Sequence, residues 1–383
     1  MDTSKFEKIR LEQYPLVQKY TYLDTSTTGV FSTRSRDAMV DFIDDRYSEG
    51  MDMYDFVDNW KHADALRETA ARVINAEASE VFFSASSSEM LNVFTNGIEL
   101  KANANIITTD LAFPATVFSW FNRVGKDNVR IARSDDGKLP AERLFELVDE
   151  NTAVIALCLV EHSSGWRHDI KTIGEFCKER GIYLVLDATQ CICAMKIDVK
   201  ESHIDFLAVS SYKWLSGVFG VGFSYVSSRV LDKISPKYVG WTGNKDRLNN
   251  SDYKLDLSDD ANRFETGSLN WVGLRGLEQS LNIYLELGKD DIEEYILSLV
   301  DYLYEKIAVS KKLRPVGPFP EENRSGIVYI KLPKKWELND KILRENGIRA
   351  HATNNSTIRV GIHFFNNKED IDWLIEFLES MQG

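Results

Sequence analysis

From about residue 80 to residue 227, short apolar runs alternate with longer segments in which apolar residues recur at helical spacing. The short runs are typical of buried strands, and the longer segments are typical of helices with one buried face. This alternation predicts an α/β fold with a mostly parallel sheet covered by helices on both faces. The predicted strands lie near residues 81–83, 105–107, 153–159, 182–186, 205–209 and 221–226, and the predicted helices near 88–98, 114–124 and 169–180.

After about residue 270 the pattern changes. A continuous helical periodicity covers residues 271–309, and shorter segments of both kinds follow it. These segments predict strands at 327–332 and 358–361, and helices near 336–346 and 367–380. We therefore expect a large α/β domain over residues 21–270 and a smaller α+β domain over 271–383, with residues 1–20 packing on the smaller one.

The composition restricts the classes of partner. Hydrophobic residues make up 43% of the 383 residues and charged residues 27%, which is ordinary for a soluble globular protein. A formal net charge of −13 argues against nucleic acid and anionic lipid as partners. No apolar run approaches the roughly 20 residues that a membrane span needs. Because the N-terminal residues are polar and lack the apolar core of a signal peptide, we expect a cytoplasmic protein.

The cysteines and histidines lack the spacing of metal or redox sites. Cys158 falls in a predicted strand and Cys177 in a predicted helix, while Cys191 and Cys193 form C-x-C. We interpret all four as buried, reduced thiols and predict no metal site. The chain also lacks a G-x-G-x-x-G fingerprint after a strand, which disfavours a dinucleotide-binding fold.

An acid, an amide and a lysine follow two predicted buried strands. Asp187 ends one apolar run, Gln190 comes three residues later, and Lys213 follows the next run. Ligands of α/β sheets bind at the carboxyl ends of strands, and pyridoxal 5'-phosphate chemistry needs a lysine and an acid there. The lysine forms a Schiff base with the cofactor aldehyde, and the carboxylate keeps the pyridine nitrogen protonated. A helix cap or an ion pair for Asp187, and a snorkelling Lys213, are the alternatives.

Two further features suit an anionic ligand. The segment 84–89, SASSSE, lies between a strand and a helix, where small residues and a helix N-terminus can bind phosphate. An ordinary serine cap is the alternative. Arg359 lies on an apolar strand of the smaller domain, and its planar fork suits a substrate carboxylate or an interdomain salt bridge.

Together these residues resemble the class V aminotransferase family of fold-type I pyridoxal-phosphate enzymes, which includes cysteine desulfurases, kynureninase and isopenicillin-N-epimerase-like proteins. The resemblance covers nearly the whole chain and implies a homodimer with shared active sites. It rests on the order and spacing of segments 22–25, 83–92, 187–190, 210–213 and 264–268, and of Arg359 with 364–372.

The resemblance implies a role for each matching residue. Lys213 would be the Schiff-base lysine and would move a proton at the substrate Cα. Asp187 would pair with the pyridinium nitrogen, and Gln190 would donate to the ring's phenolic oxygen. The other positions would be Ser87, Ser88, Ser210 and Tyr212 at the phosphate, Ser268 at the phosphate of the neighbouring subunit, Phe113 stacked on the ring, and Arg359 at the substrate carboxylate.

The chain departs from the family pattern in several places. Ser86 stands where the phosphate loop usually has glycine, and Phe113 stands where other members carry histidine or an aromatic residue. The segment 348–356 has no cysteine, which excludes a persulfide mechanism that uses a mobile-loop cysteine. His162 lies where the family chain passes the cofactor, and it is either an acid/base group or a structural loop histidine.

The sequence thus predicts a pyridoxal-phosphate enzyme that acts on an amino acid through a Lys213 Schiff base and a quinonoid intermediate. Transamination is the first prediction because it needs only Lys213. A desulfurase-related cysteine, selenocysteine or C–S lyase without the loop cysteine is the second, and an amino-acid epimerase the third. A catalytically silent binding protein of the same fold is disfavoured, since both Lys213 and Asp187 are present.

Overall fold

A seven-stranded sheet forms the centre of the computed structural model, which describes residues 3–248, 253–333, 336–354 and 356–381. The strands are β1 (Thr21–Tyr22), β2 (Val81–Ser84), β3 (Asn105–Thr109), β4 (Val129–Ala132), β5 (Thr152–Cys158), β6 (Tyr183–Asp187), β7 (Phe206–Ser210), β8 (Gly222–Val226), β9 (Arg314–Pro315), β10 (Ile327–Lys331), β11 (Ile348–Arg349), β12 (His351–Asn354) and β13 (Thr357–Gly361). The helices are α1 (Ser4–Gln13), α2 (Thr33–Ser48), α3 (Met53–Ile74), α4 (Ser87–Gly97), α5 (Pro114–Val124), α6 (Glu142–Phe145), α7 (Ile170–Arg180), α8 (Ser228–Leu231), α9 (Trp271–Leu287), α10 (Lys289–Val309), α11 (Asp340–Glu345) and α12 (Lys368–Ser380).

The central sheet has the strand order β2-β8-β7-β6-β5-β3-β4, and β8 runs antiparallel to both of its neighbours. The pairs from β7 through β6, β5 and β3 to β4 are parallel. The mostly parallel α/β fold predicted from the sequence is therefore confirmed. Because parallel strands end at the same edge, the carboxyl ends of β5, β6 and β7 lie side by side.

Both faces of this sheet are covered by other parts of the chain. Alternate side chains of each strand point to opposite faces, and most residues of both sets are buried. On β6, Val185 packs into one apolar cluster, whereas Leu184 and Leu186 pack into the other. Helices α4 and α5 lie over the first cluster, and the second is continuous with the core of the C-terminal part of the chain. The strands are apolar on both sides because neither face meets solvent.

One predicted element was wrong: the continuous helix over 271–309 is two helices, α9 and α10. Gly288 separates them with a φ of +89°, a backbone conformation that an L-residue with a side chain rarely adopts. The apolar periodicity runs on across the break because both helices bury one face against the same core. Periodicity alone therefore did not locate the turn.

The C-terminal part contains a four-stranded antiparallel sheet in the order β12-β13-β10-β9. The N-terminal helix α1 contacts this part of the chain: the ring of Phe6 stacks on Tyr295 with centroids 4.2 Å apart. Arg10 also forms a buried ion pair with Asp370 at 2.8 Å. Within the described residues, no helix combines the length and apolar character needed to cross a membrane.

Candidate active site

A small cavity lies at the carboxyl ends of β5, β6 and β7. It brings together most of the residues that the sequence singled out, although they come from five separate segments of the chain. Its walls are formed by Ser87, Phe113, Cys158, His162, Asp187, Thr189, Gln190, Tyr212 and Lys213.

The amine of Lys213 is held between two aromatic rings. Its Nζ atom lies 5.6 Å from the ring centroid of Phe113 and 5.5 Å from that of Tyr212. Burial lowers the pKa of Lys213; the nearby Asp187 carboxylate opposes this shift, and the charge of Arg359 adds to it. A lowered pKa increases the fraction of uncharged amine, which is the form that attacks an aldehyde carbon.

Asp187 is the last residue of β6 and is buried, with 5% of its surface exposed. Its Oδ1 atom accepts the backbone N–H of Thr189 at 2.8 Å, which orients the carboxylate. The same threonine accepts the backbone N–H of Ser210 through its hydroxyl at 3.0 Å. Thr189 thus ties the end of β6 to the end of β7 beside Lys213.

Only part of the serine-rich segment 84–89, the serine turn at the start of α4, lines this cavity. The Ser86 hydroxyl caps α4 by accepting the N–H of Glu89 at 3.3 Å, and the Ser87 N–H donates to the hydroxyl of Ser210 at 2.8 Å. Ser88 is exposed and lines a separate cavity with Thr266. Ser87 therefore lines the cavity around Lys213, and Ser88 does not.

Ser268 also lies away from the cavity around Lys213. It lines a third cavity together with Ser84, Glu89 and Asn270. The side chain of Glu89 accepts hydrogen bonds there from the hydroxyl of Ser84 at 2.9 Å and from the N–H of Ala85 at 3.2 Å. Within one chain, Ser268 is therefore separate from the lysine.

His162 lies against the exposed ring of Phe113, with the ring centroids 5.2 Å apart and the planes nearly perpendicular. Burial lowers the pKa of His162 to about 4, and the positive charges of Lys213 and Arg359 act in the same direction. Its Nδ1 atom is buried without a hydrogen-bond partner in the described structure. The imidazole is therefore neutral near pH 7 and can accept a hydrogen bond from a ligand.

This lowered pKa predicts a pH dependence of stability. Between the ordinary pKa of 6.5 and about 4, the unfolded chain binds a proton at His162 that the folded chain does not, so stability falls as the pH falls. We expect the loss of unfolding free energy between about pH 7 and about pH 5 to be smaller by about 2 kcal/mol in His162→Asn. Denaturant unfolding at both pH values measures it, and an equal loss in both proteins would contradict the neutral, buried imidazole.

Arg359 on β13 is nearly buried, and its side chain already has protein partners. The guanidinium donates to the hydroxyl of Thr27 and lies 3.6 Å from the carboxylate of Asp24. Its Nε atom is buried and has no partner in the described structure. Asp24 and Thr27 come from the segment after β1, so a substrate carboxylate would share the arginine with them.

Sequence reasoning missed two residues that line the cavity, Thr189 and Cys158. Cys158 ends β5 directly opposite Asp187 in the strand register, so both side chains face the same side of the sheet. The alternation of side chains along β5 was the sequence signal that could have identified Cys158 as a cavity residue. Burial raises the pKa of the Cys158 thiol well above its usual range, and its sulfur accepts the N–H of Phe113 at 3.3 Å.

A mostly parallel sheet with a partly buried lysine and a buried acid and amide at its carboxyl edge defines an α/β enzyme that works through a bound carbonyl cofactor. The chain belongs to the class V aminotransferase family, whose model matches residues 21–374. This match confirms the resemblance inferred from the sequence and the predicted cofactor, pyridoxal 5'-phosphate.

The chain is similar to several known proteins over nearly its full length. It is 26% identical to the uncharacterized aminotransferase YcbU of Bacillus subtilis, covering 95% of each chain. It is 25% identical to a probable cysteine desulfurase of Methanothermobacter thermautotrophicus, covering 96% of each. Among solved structures, the cystine C–S lyase C-DES has a TM-score of 0.87 at 17% identity, covering 97% of this chain and 100% of that one.

Proposed function

We propose that this protein is a pyridoxal-phosphate enzyme that acts at the Cα atom of an amino acid, with transamination as its reaction. The observation that carries this proposal is the partly buried Lys213 amine, whose pKa is lowered, in one cavity with Asp187 and Gln190. Bound there, the cofactor supplies an electron sink for the bond that breaks at Cα.

The residues of the cavity fit this cofactor. Lys213 would bond its aldehyde carbon, Asp187 would pair with its ring nitrogen, and Gln190 would donate to its phenolic oxygen. Phe113 would lie over the ring, and Ser87 and Tyr212 toward the phosphate. We also assign to the phosphate Ser210, whose hydroxyl accepts the Ser87 N–H, and Ser88, which lines a separate cavity. We assign Ser268 to the phosphate of a second copy in a homodimer, which is consistent with its separation from Lys213 within one chain.

The choice of transamination follows from how protons can move in the cavity. Among the described residues that line it, Lys213 is the group suited to take the Cα proton and return it to the cofactor's C4' atom. His162 is unprotonated near neutral pH, and the Cys158 thiol has a raised pKa. Lys213 is thus the base of the cavity, the Cys158 thiol and the Tyr212 phenol are weak acids because burial raises their pKa values, and His162 would act as a base or hydrogen-bond acceptor.

A C–S lyase is the second candidate. Relatives of 25% and 26% identity over nearly the whole chain are named probable cysteine desulfurases, yet residues 348–356 contain no cysteine. Elimination at Cβ would then suit a sulfur group that departs as an anion, as from a disulfide, because such a group needs no proton on leaving. The substrate's own sulfur would be released without passing through a protein thiol.

Incubation with a panel of amino acids distinguishes the two candidates. Transamination converts the bound cofactor to pyridoxamine phosphate, which chromatography of the released cofactor detects, and it yields the matching keto acid. A lyase leaves the cofactor as pyridoxal phosphate and yields pyruvate with a sulfur product from cystine or cysteine. A protein that binds the cofactor and gives neither outcome with any amino acid would contradict the proposed function.

Arg359 provides a prediction about substrate binding. Arg359→Ala should raise KM for a carboxylate substrate by about 10- to 100-fold, because a hydrogen bond to a charged group is lost. Cofactor affinity should not change. Arg349→Ala is a matched control, since this arginine lies over the ring of Tyr20 at 4.1 Å in the same part of the chain. Steady-state kinetics measure both, and equal KM values in the two variants would remove Arg359 from the substrate site.

A further inference from the structure

Trp214, the residue after Lys213, is fully enclosed and contacts the candidate cofactor site through Gln190. Its indole N–H donates to Gln190 Oε1 at 3.0 Å. The amide nitrogen at the other end of the same side chain donates to the backbone carbonyl of Ser26 at 3.1 Å. Trp214 is 1% exposed, so water does not compete for this contact.

These two contacts determine which way the Gln190 amide faces. An indole N–H can only donate and a backbone carbonyl can only accept, so the oxygen must face Trp214 and the nitrogen must face Ser26. Rotation of the amide by half a turn would break both hydrogen bonds. The amide nitrogen carries two hydrogens, and the contact with Ser26 uses one, which leaves the other for an acceptor in the cavity that Gln190 lines.

Trp214 is in turn held by the C-terminal part of the chain. His363 Nε2 donates to the backbone carbonyl of Trp214 at 2.8 Å, while its Nδ1 accepts the N–H of Phe364 at 2.8 Å. The imidazole stacks on the indole with centroids 5.4 Å apart. Gly326 makes room for the indole, because a Cβ atom at that position would lie 2.6 Å from the ring. The indole is thus fixed from two sides.

We propose that Trp214 is a positioning residue: its indole N–H fixes the orientation of the Gln190 amide, so that an N–H of this amide donates to the phenolic oxygen of pyridoxal 5'-phosphate. The inference rests on the proposed function, since it assumes the cofactor in the cavity around Lys213. It explains why a donor-bearing aromatic residue is buried next to the lysine. Trp214 would thus affect the protonation of the cofactor and not the binding of the substrate.

The test uses the pH midpoint of the visible absorption of the cofactor-bound protein. A hydrogen-bond donor at the phenolic oxygen stabilises the negative charge of that oxygen. The oxygen then holds the nearby proton less tightly, so the pH midpoint is lower with the donor than without it. Trp214→Phe keeps most of the ring but removes the N–H, so only the contact with Ser26 holds the amide and the donor is lost for part of the time. We expect the midpoint to rise by about half to one pH unit. Trp214→Leu, which also lacks a donor, serves the same purpose if the phenylalanine variant does not fold.

A double-mutant cycle separates positioning from a general packing effect. In Gln190→Ala, which lacks the amide, Trp214→Phe should not shift the midpoint further, because the two changes remove one interaction. Trp120→Phe is the matched control: this tryptophan is equally buried but packs in α5 against Phe94. Its midpoint should equal that of the unmodified protein.

The possible outcomes are distinct. A raised midpoint in Trp214→Phe that disappears in the Gln190→Ala background supports the inference. A normal visible band with the same midpoint in all proteins, or equal shifts in both backgrounds, would overturn it and leave the proposed function standing. An unmodified protein that gains no visible absorption with added pyridoxal phosphate would overturn the proposed function, and this inference with it.

Discussion

Replacing Lys213 by alanine should lower kcat by about 10⁴-fold, the largest effect that we expect from a single change in this chain. The lysine is assigned both the covalent bond to the cofactor and the transfer of the Cα proton. Its lowered pKa and its position in the cavity with Asp187 suit both tasks. Steady-state turnover with the most active amino acid of the panel measures the effect.

Two controls make this result specific. Lys61→Ala removes an exposed lysine that pairs with Asp58, and it should leave kcat unchanged. Borohydride reduction of the unmodified protein, followed by peptide mapping, should place the cofactor on Lys213 and on no other lysine. Added methylamine should restore part of the activity of Lys213→Ala, because it can carry the missing proton. A variant that keeps more than a tenth of the original kcat would remove Lys213 from the chemistry.

The fold and the centre of the site could be predicted because they depend on patterns that are local in sequence. Apolar runs bounded by polar residues marked β6 and β7, and the polar residues that follow a buried parallel strand lie at its carboxyl end. Asp187, Gln190 and Lys213 share one cavity for this reason. Their residue types then restricted the chemistry.

The contacts that orient these side chains could not be predicted in the same way. Gln190 bonds to Ser26, 164 positions earlier in the chain, and Arg359 bonds to Thr27, 332 positions earlier. Periodicity reports which face of an element is buried, but it does not report which donor meets which acceptor across the core. The arginine was predicted to bind a substrate carboxylate or to form an interdomain salt bridge, but the sequence did not indicate that Asp24 would be the nearby carboxylate.

A buried ion pair supports the turn that precedes Ser268. Both Nη2 contacts from Arg67 to the Glu265 carboxylate are 2.7 Å long, and both side chains are almost completely enclosed. The same carboxylate accepts the backbone N–H of Phe83 at 2.9 Å, at the start of the serine turn. One carboxylate thus joins α3, β2 and the segment that leads to Ser268.

Arg67→Met should therefore lower the free energy of unfolding by about 3 to 5 kcal/mol, because it leaves the Glu265 carboxylate buried without its counter-ion. Adding Glu265→Gln should restore much of the loss, since the glutamine is neutral and still accepts the N–H of Phe83. Lys171→Ala, which breaks an exposed pair with Glu201, should leave the free energy of unfolding almost unchanged. Denaturant unfolding of the four proteins measures these differences. If the double variant were less stable than Arg67→Met alone, the uncompensated charge would not be the cause.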